Sequence, residues 1–218
     1  MTKYKLYIIF FVIIGLGVTA IYFVSVGYYP IAVVNGDIIT ANTFINNYDT
    51  ASVYYRNFLK TYGSATSTGS GQASSTQGET SSSTLQILTP SQIQKSVLAG
   101  MIENILIEKG ARKEMGKELD RLVGEKVSQA VEVPEIEKAV RTIYGLSLDD
   151  FKKKVLVPQA ERDILTGSLF LRGQKIEDWL EAEKKSSNIV ILSGKLYWNG
   201  EDVASHWSGK FEILQSAA

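Results

Sequence analysis

Cysteine is absent from all 218 residues, and histidine occurs once, at His206. No disulfide, thiolate nucleophile or Cys-ligated zinc can therefore form. One histidine cannot build a His-based metal cluster, and a Ser–His–acid triad would rest wholly on it. Net charge is missing too, since 23 basic side chains balance 23 acidic ones. Lys3 and Lys5 are the only charges before Asp37, so the remainder carries 21 basic against 23 acidic groups. No polybasic face of the kind that neutralises phosphates is visible, which argues against nucleic acid as a partner. The neighbouring acids Asp149-Asp150 and Glu177-Asp178 fall at helix starts, where the dipole favours them. Adjacent helical positions point about 100° apart and do not form a paired-carboxylate site. No catalytic residue, metal site or cofactor site is assigned, and the chain is expected not to be an enzyme.

What is present begins with apolarity. From Leu6 to Val26 no residue is charged, and most are Ile, Phe, Val, Leu or Tyr. At 1.5 Å per residue this run spans roughly 31 Å, which fits a hydrocarbon layer about 30 Å thick. Lys3 and Lys5 should stay on the cytoplasmic side and send everything after Val26 outward. Tyr22, Tyr28 and Tyr29 fall where aromatic rings favour the lipid–water interface. A cleaved signal peptide is the competing reading, with Ser25 and Gly27 as small residues at the cleavage site. The apolar run is long for a signal core of about 7–15 residues, and an uncleaved anchor is preferred.

The exported part reads as mainly α-helical. Ile31-Ala-Val-Val34 and Ile38-Ile39 flank Asn35-Gly36, a strong hairpin signal because both turn residues tolerate positive φ. Phe44, Tyr48, Ala51, Tyr55, Phe58 and Tyr62 then follow at helical spacing, the pattern of a core-facing stripe. Residues 64–84 are Ser, Thr or Gly at 16 of 21 positions. Such a segment cannot bury enough apolar area to offset its chain entropy and is expected to be disordered. Thr89-Pro90 opens a helix with Ile93, Val97, Met101, Ile102, Ile105 and Leu106 on its apolar side. Further helices are expected after Gly116, over Pro134–Tyr144, and from Ser147 to Leu169, where Pro158 should break or kink the last. Lys175–Lys185 forms a short closing helix with Ile176, Trp179 and Leu180 inward. Strands at Asn188–Leu192 and Lys195–Trp198 follow, with Asn199-Gly200 as a turn.

This order of elements resembles the N-terminal chaperone domain of the SurA/PpiD/PrsA family of extracytoplasmic folding factors. Ile31-Ala-Val-Val-Asn-Gly-Asp-Ile-Ile-Thr40 is similar to that family's opening V-A-x-V-N-G-x-x-I-T. Val97–Met115 is similar to its second helix, and Gly145-Leu-Ser-Leu-Asp-Asp-Phe151 to its G-L-S-x-E-x-F/L junction. Glu161-Arg162 with Ile164-Leu165 resembles the start of its last helix. Trp179-Leu-Glu-Ala-Glu-Lys-Lys185 with Asn188–Leu192 resembles its closing helix and strand. The resemblance covers about 31–62 and 90–192. Two departures stand out: the insertion at 64–84, and the direct run of Phe170-Leu-Arg-Gly-Gln174 into the closing helix. Isomerase members carry a parvulin domain at the latter point, with paired histidines, so prolyl isomerase activity does not transfer to this chain.

The expected organisation is a cytoplasmic stub and membrane anchor over 1–30, a helical domain over 31–203 and a tail over 204–218. The domain would resemble the SurA N-terminal domain, with a small β-hairpin and short C-terminal strands. The resemblance implies a membrane-anchored chaperone on the periplasmic or extracellular side. Its partners would be unfolded or newly exported polypeptides, held without catalysis or a cofactor. A membrane-tethered assembly subunit gripping one specific envelope protein is the second reading. Tyr54, Trp198 and Trp207, aromatic residues off the main stripes, are the expected peptide contacts.

Overall fold

A computed structural model describes residues 27–62 and 88–205, with Val12, Ile14 and Ser25 as single positions before them. The rest of the apolar run 6–26, the insertion 64–84, and His206 and Trp207 lie outside the described residues. Among the described residues no helix is long and apolar enough to cross a membrane. The fold is mainly helical with two small antiparallel sheets.

Strand β1 (Pro30–Val34) turns through Asn35 (φ 50°) and Gly36 (φ 92°) into β2 (Asp37–Thr40), as the Asn-Gly pair predicts. The other edge of β1 pairs with β3 (Ile189–Ile191), far along the chain, giving the order β2-β1-β3. Asn35 fastens this long-range pairing. Its Oδ1 accepts the Asn188 N–H at 2.8 Å and its Nδ2 donates to Ser187 Oγ at 2.9 Å. Asn35→Ala removes both bonds and puts a residue less tolerant of positive φ at the turn. It should cost about 2 kcal/mol in denaturant unfolding. A cost below about 0.5 kcal/mol would mean that the side chain is not the fastener.

Helix α1 (Ala41–Tyr62) follows directly, with Thr40 Oγ1 accepting the Thr43 N–H at 3.2 Å. Helix α2 (Pro90–Met115) opens on a full capping box between Thr89 and Gln92. Then come α3 (Glu118–Ala130) and α4 (Ile136–Tyr144), the latter closed by Gly145 at φ 66°. Glu135, at φ 64°, delays α4 two residues past the expected start at Pro134. Ser147 caps α5 (Leu148–Phe151), accepting the Asp150 N–H at 3.1 Å.

The break or kink expected at Pro158 takes the form of a π-helical turn. This turn, Lys152–Leu156, carries α5 into α6 (Val157–Leu171), which has Pro158 in its first turn. The wider turn spares the proline ring a clash with the carbonyl four residues back, so the helix runs on. After α7 (Ile176–Ser186), strands β4 (Leu196–Trp198) and β5 (Val203–Ser205) form a second hairpin. Asn199 Oδ1 shapes its turn by accepting the N–H groups of Glu201 and Asp202. Thus Ala204 and Ser205, aperiodic in sequence and expected in the tail, belong to a strand.

The core surrounds α2. Its Leu98, Ile102, Leu106 and Ile107 are fully buried against Ala32, Val34 and Ile39 of the sheet, Leu119 of α3, Leu165 and Leu169 of α6, and Ile176 and Leu180 of α7. Gly110 has a packing reason for standing inside a helix. A Cβ there would lie 2.6 Å from Cη2 and Cζ2 of Trp179 and 3.2 Å from Leu165. The closing helix is also held by Glu103 of α2, which takes Lys184 at 2.6 Å and Arg162 at 3.1 Å.

Among the described residues, one carboxyl is buried without such a partner. Glu161 of α6, 8% exposed, faces Glu108 and Arg112 of α2 and Asp120 of α3. Arg112 is engaged by Asp120 at 3.2 Å and Glu108 at 3.5 Å. Burial, reinforced by Glu108 and Asp120 and only partly offset by Arg112, pushes the Glu161 carboxyl up to about 7.

Candidate functional site

The stripe of α1 does not enter the core as its spacing predicts. Phe44 packs against the core, whereas Tyr48, Ala51, Tyr55 and Phe58 are half-buried. Helix α1 lies against α2 and α4 instead, and Asn57 Nδ2 donates to the carbonyls of Thr142 and Ile143 at 2.9 and 3.1 Å. Between these helices and the π-helical turn runs a groove of ≈ 240 Å³.

Tyr54 lies on one wall, where its position off the stripe places it. Its ring, 37% exposed, stacks on Tyr144 of α4 with centroids 4.9 Å apart and planes 22° apart. Phe58 extends the stack on one side at 6.1 Å, and on the other buried Phe151 meets Tyr144 at 4.9 Å with its ring tilted by 54°. The facing wall is α2, which offers Val97 and Met101, with Gly100 between them. A Cβ at Gly100 would meet nothing within 4 Å, so the groove is open at that point. Asn47, Thr50 and Asn104 add neutral hydrogen-bonding groups, and Lys154 of the π-helical turn is the one cation among the described lining residues. Burial, with Tyr54 beside it, raises the Tyr144 phenol above its ordinary value and keeps its O–H as a donor.

The arrangement suits weak, sequence-tolerant binding of an extended or helical segment. Flat aromatic faces and a thioether accept many apolar side chains, while amide and hydroxyl groups satisfy a backbone. A larger hollow of ≈ 630 Å³ over α4 is lined by Glu137, Lys138 and Arg141, and Arg141 is already paired with Glu137 at 2.7 Å. Ile136 and Leu148 give it apolar contact as well, but among the described residues it has no aromatic side chain on its lining.

Of the three expected contacts, Tyr54 lies in the groove. Trp198 is half-buried against the core on the β4–β5 hairpin, and Trp207 lies outside the described residues. Tyr144, Val97 and Met101 are groove residues that the sequence reading did not single out as contacts. Val97 and Met101 carried a signal: they form an i,i+4 row beside the buried row Leu98–Ile102–Leu106, so one row had to face outward. Among the described residues no group of three His, Cys, Asp or Glu side chains is placed to hold a metal ion. No family profile, curated protein or solved structure matches the chain.

Proposed function

We propose that the protein is a membrane-tethered chaperone on the extracytoplasmic side, holding unfolded or newly exported polypeptides in the groove between α1, α2 and α4. Three considerations support this reading. The apolar run 6–26 has the length and flanking charge of an anchor. The segments quoted above resemble the SurA/PpiD/PrsA chaperone domain. The observation that carries the site is the half-open Tyr54–Tyr144 stack facing Val97 and Met101.

Binding is reversible burial, with no covalent step. Each apolar client side chain seated in the groove contributes about 1.5–3 kcal/mol before the cost of ordering the client. A few such contacts leave a net affinity weak enough for release. A photo-crosslinking amino acid in place of Tyr54, in the full chain in its membrane, should capture a heterogeneous set of polypeptides. The same group at exposed Ser128 on α3 should capture few. One stoichiometric adduct from position 54 would instead identify an assembly subunit with a single partner.

A further inference from the structure

We propose that the outer face of the three-stranded sheet is a second membrane contact, lying on the lipid surface beside the anchor. The inference rests on the reading of 6–26 as that anchor. Strands with one solvated face alternate apolar and polar residues. These do not: Ile31-Ala-Val-Val34, Ile38-Ile39 and Ile189-Val-Ile191 are apolar on both faces, the pattern of a sheet covered on both sides.

Among the described residues only one face is covered by protein. Ala32, Val34, Ile39 and Ile189 turn inward onto α2 and its neighbours. Val33 is the direct cross-strand partner of both Ile38 and Val190, so these three form one row on the opposite face. Ile38 is 61% exposed, Val190 is 44% exposed, and Leu192, two residues further along the same face, is 55% exposed. Asp37 is the single charged residue in the three strands, and it is paired with Lys109.

The chain before the sheet identifies lipid as the occupant. Three residues separate Val26 from Pro30, a reach of roughly 10–14 Å, which keeps the sheet close to the headgroup layer. Two of the three are Tyr28 and Tyr29, both exposed, whose rings combine an apolar body with a polar tip suited to that layer.

The chain has no native cysteine, so single spin labels report cleanly. The full chain, in vesicles of phosphatidylcholine and phosphatidylglycerol, is labelled through Ile38→Cys, Val190→Cys, Ile14→Cys or Ser128→Cys. The native positions are exposed, and matched melting curves check that the labelled proteins fold alike. Labels at 38 and 190 should be several-fold more accessible to oxygen, relative to a water-soluble nickel chelate, than the label at 128. Nickel access at 38 and 190 equal to that at 128, with the label at 14 in the bilayer, overturns the contact and leaves the anchor standing. Nickel access at 14 as well overturns the anchor. Shielding of 38 and 190 from both reagents also overturns the proposal, since a protein surface would then cover the face.

Discussion

Trp179→Ala should destabilise the protein by about 3 kcal/mol, the low end of the range for removing a large core aromatic, because the indole is half-buried. The reason is positional. The indole fills the notch left by the absent side chain of Gly110, and α7, an 11-residue helix, is too short to persist without it. Gly110→Ala provides the reciprocal test. In an open helix this change stabilises by about 1 kcal/mol. Here the new methyl meets the far end of a rigid ring, and the net effect should be a loss of about 1–3 kcal/mol. In a Trp179→Ala background the sign should reverse, with Gly110→Ala neutral or mildly stabilising. Equilibrium unfolding of the four proteins measures the coupling. Additive effects would mean that the notch and the indole do not meet.

Glu161→Gln should stabilise the protein, and the gain should depend on pH. The folded-state value of about 7 lies above the ordinary 4.5 for this carboxyl. The folded protein therefore retains a proton that the unfolded chain releases, and stability falls as pH rises from the unfolded value through the folded one. Between about pH 5 and about pH 8 the native protein should lose of the order of 2–3 kcal/mol through this one group. Glutamine cannot ionise. The variant should match the native protein at about pH 5 and exceed it by that amount at about pH 8, as read from denaturant midpoints. A gain independent of pH would assign the effect to packing. No gain at about pH 8 would mean that water or Arg112 reaches the ionised carboxylate.

What the sequence displayed and what it concealed divide along physical lines. Local chemistry was legible: Asn35-Gly36 requires positive φ, Thr89-Pro90 and Ser147 are capping residues, and Gly145 closes α4 in the left-handed conformation. Long-range pairing was not. No local pattern says that β3 returns to β1, because the pairing is settled by burial on α2 and by the Asn35 side chain. Gly110 is a poor helix residue by propensity alone, and its packing partner, Trp179, comes from another element. The π-helical turn before Pro158 depends on relaxing one ring–carbonyl clash, which a rule about proline registers only as a break. The groove was half legible. Tyr54 stood out by lying off its stripe, but α2 is apolar over so much of its surface that periodicity alone could not say whether Leu98 or Val97 turned inward.

The central claim is that the groove holds unfolded polypeptide. The most direct test is light scattering from an aggregating denatured client, with the full chain embedded in nanodiscs. The native protein should slow aggregation at stoichiometric ratios. Tyr54→Glu, which sets a charge at a partly exposed position within the aromatic stack, should abolish most of that effect, with a melting curve showing that the variant is still folded at the assay temperature. A native protein that folds normally yet leaves aggregation untouched, or a Tyr54→Glu variant that protects equally well, would contradict the account.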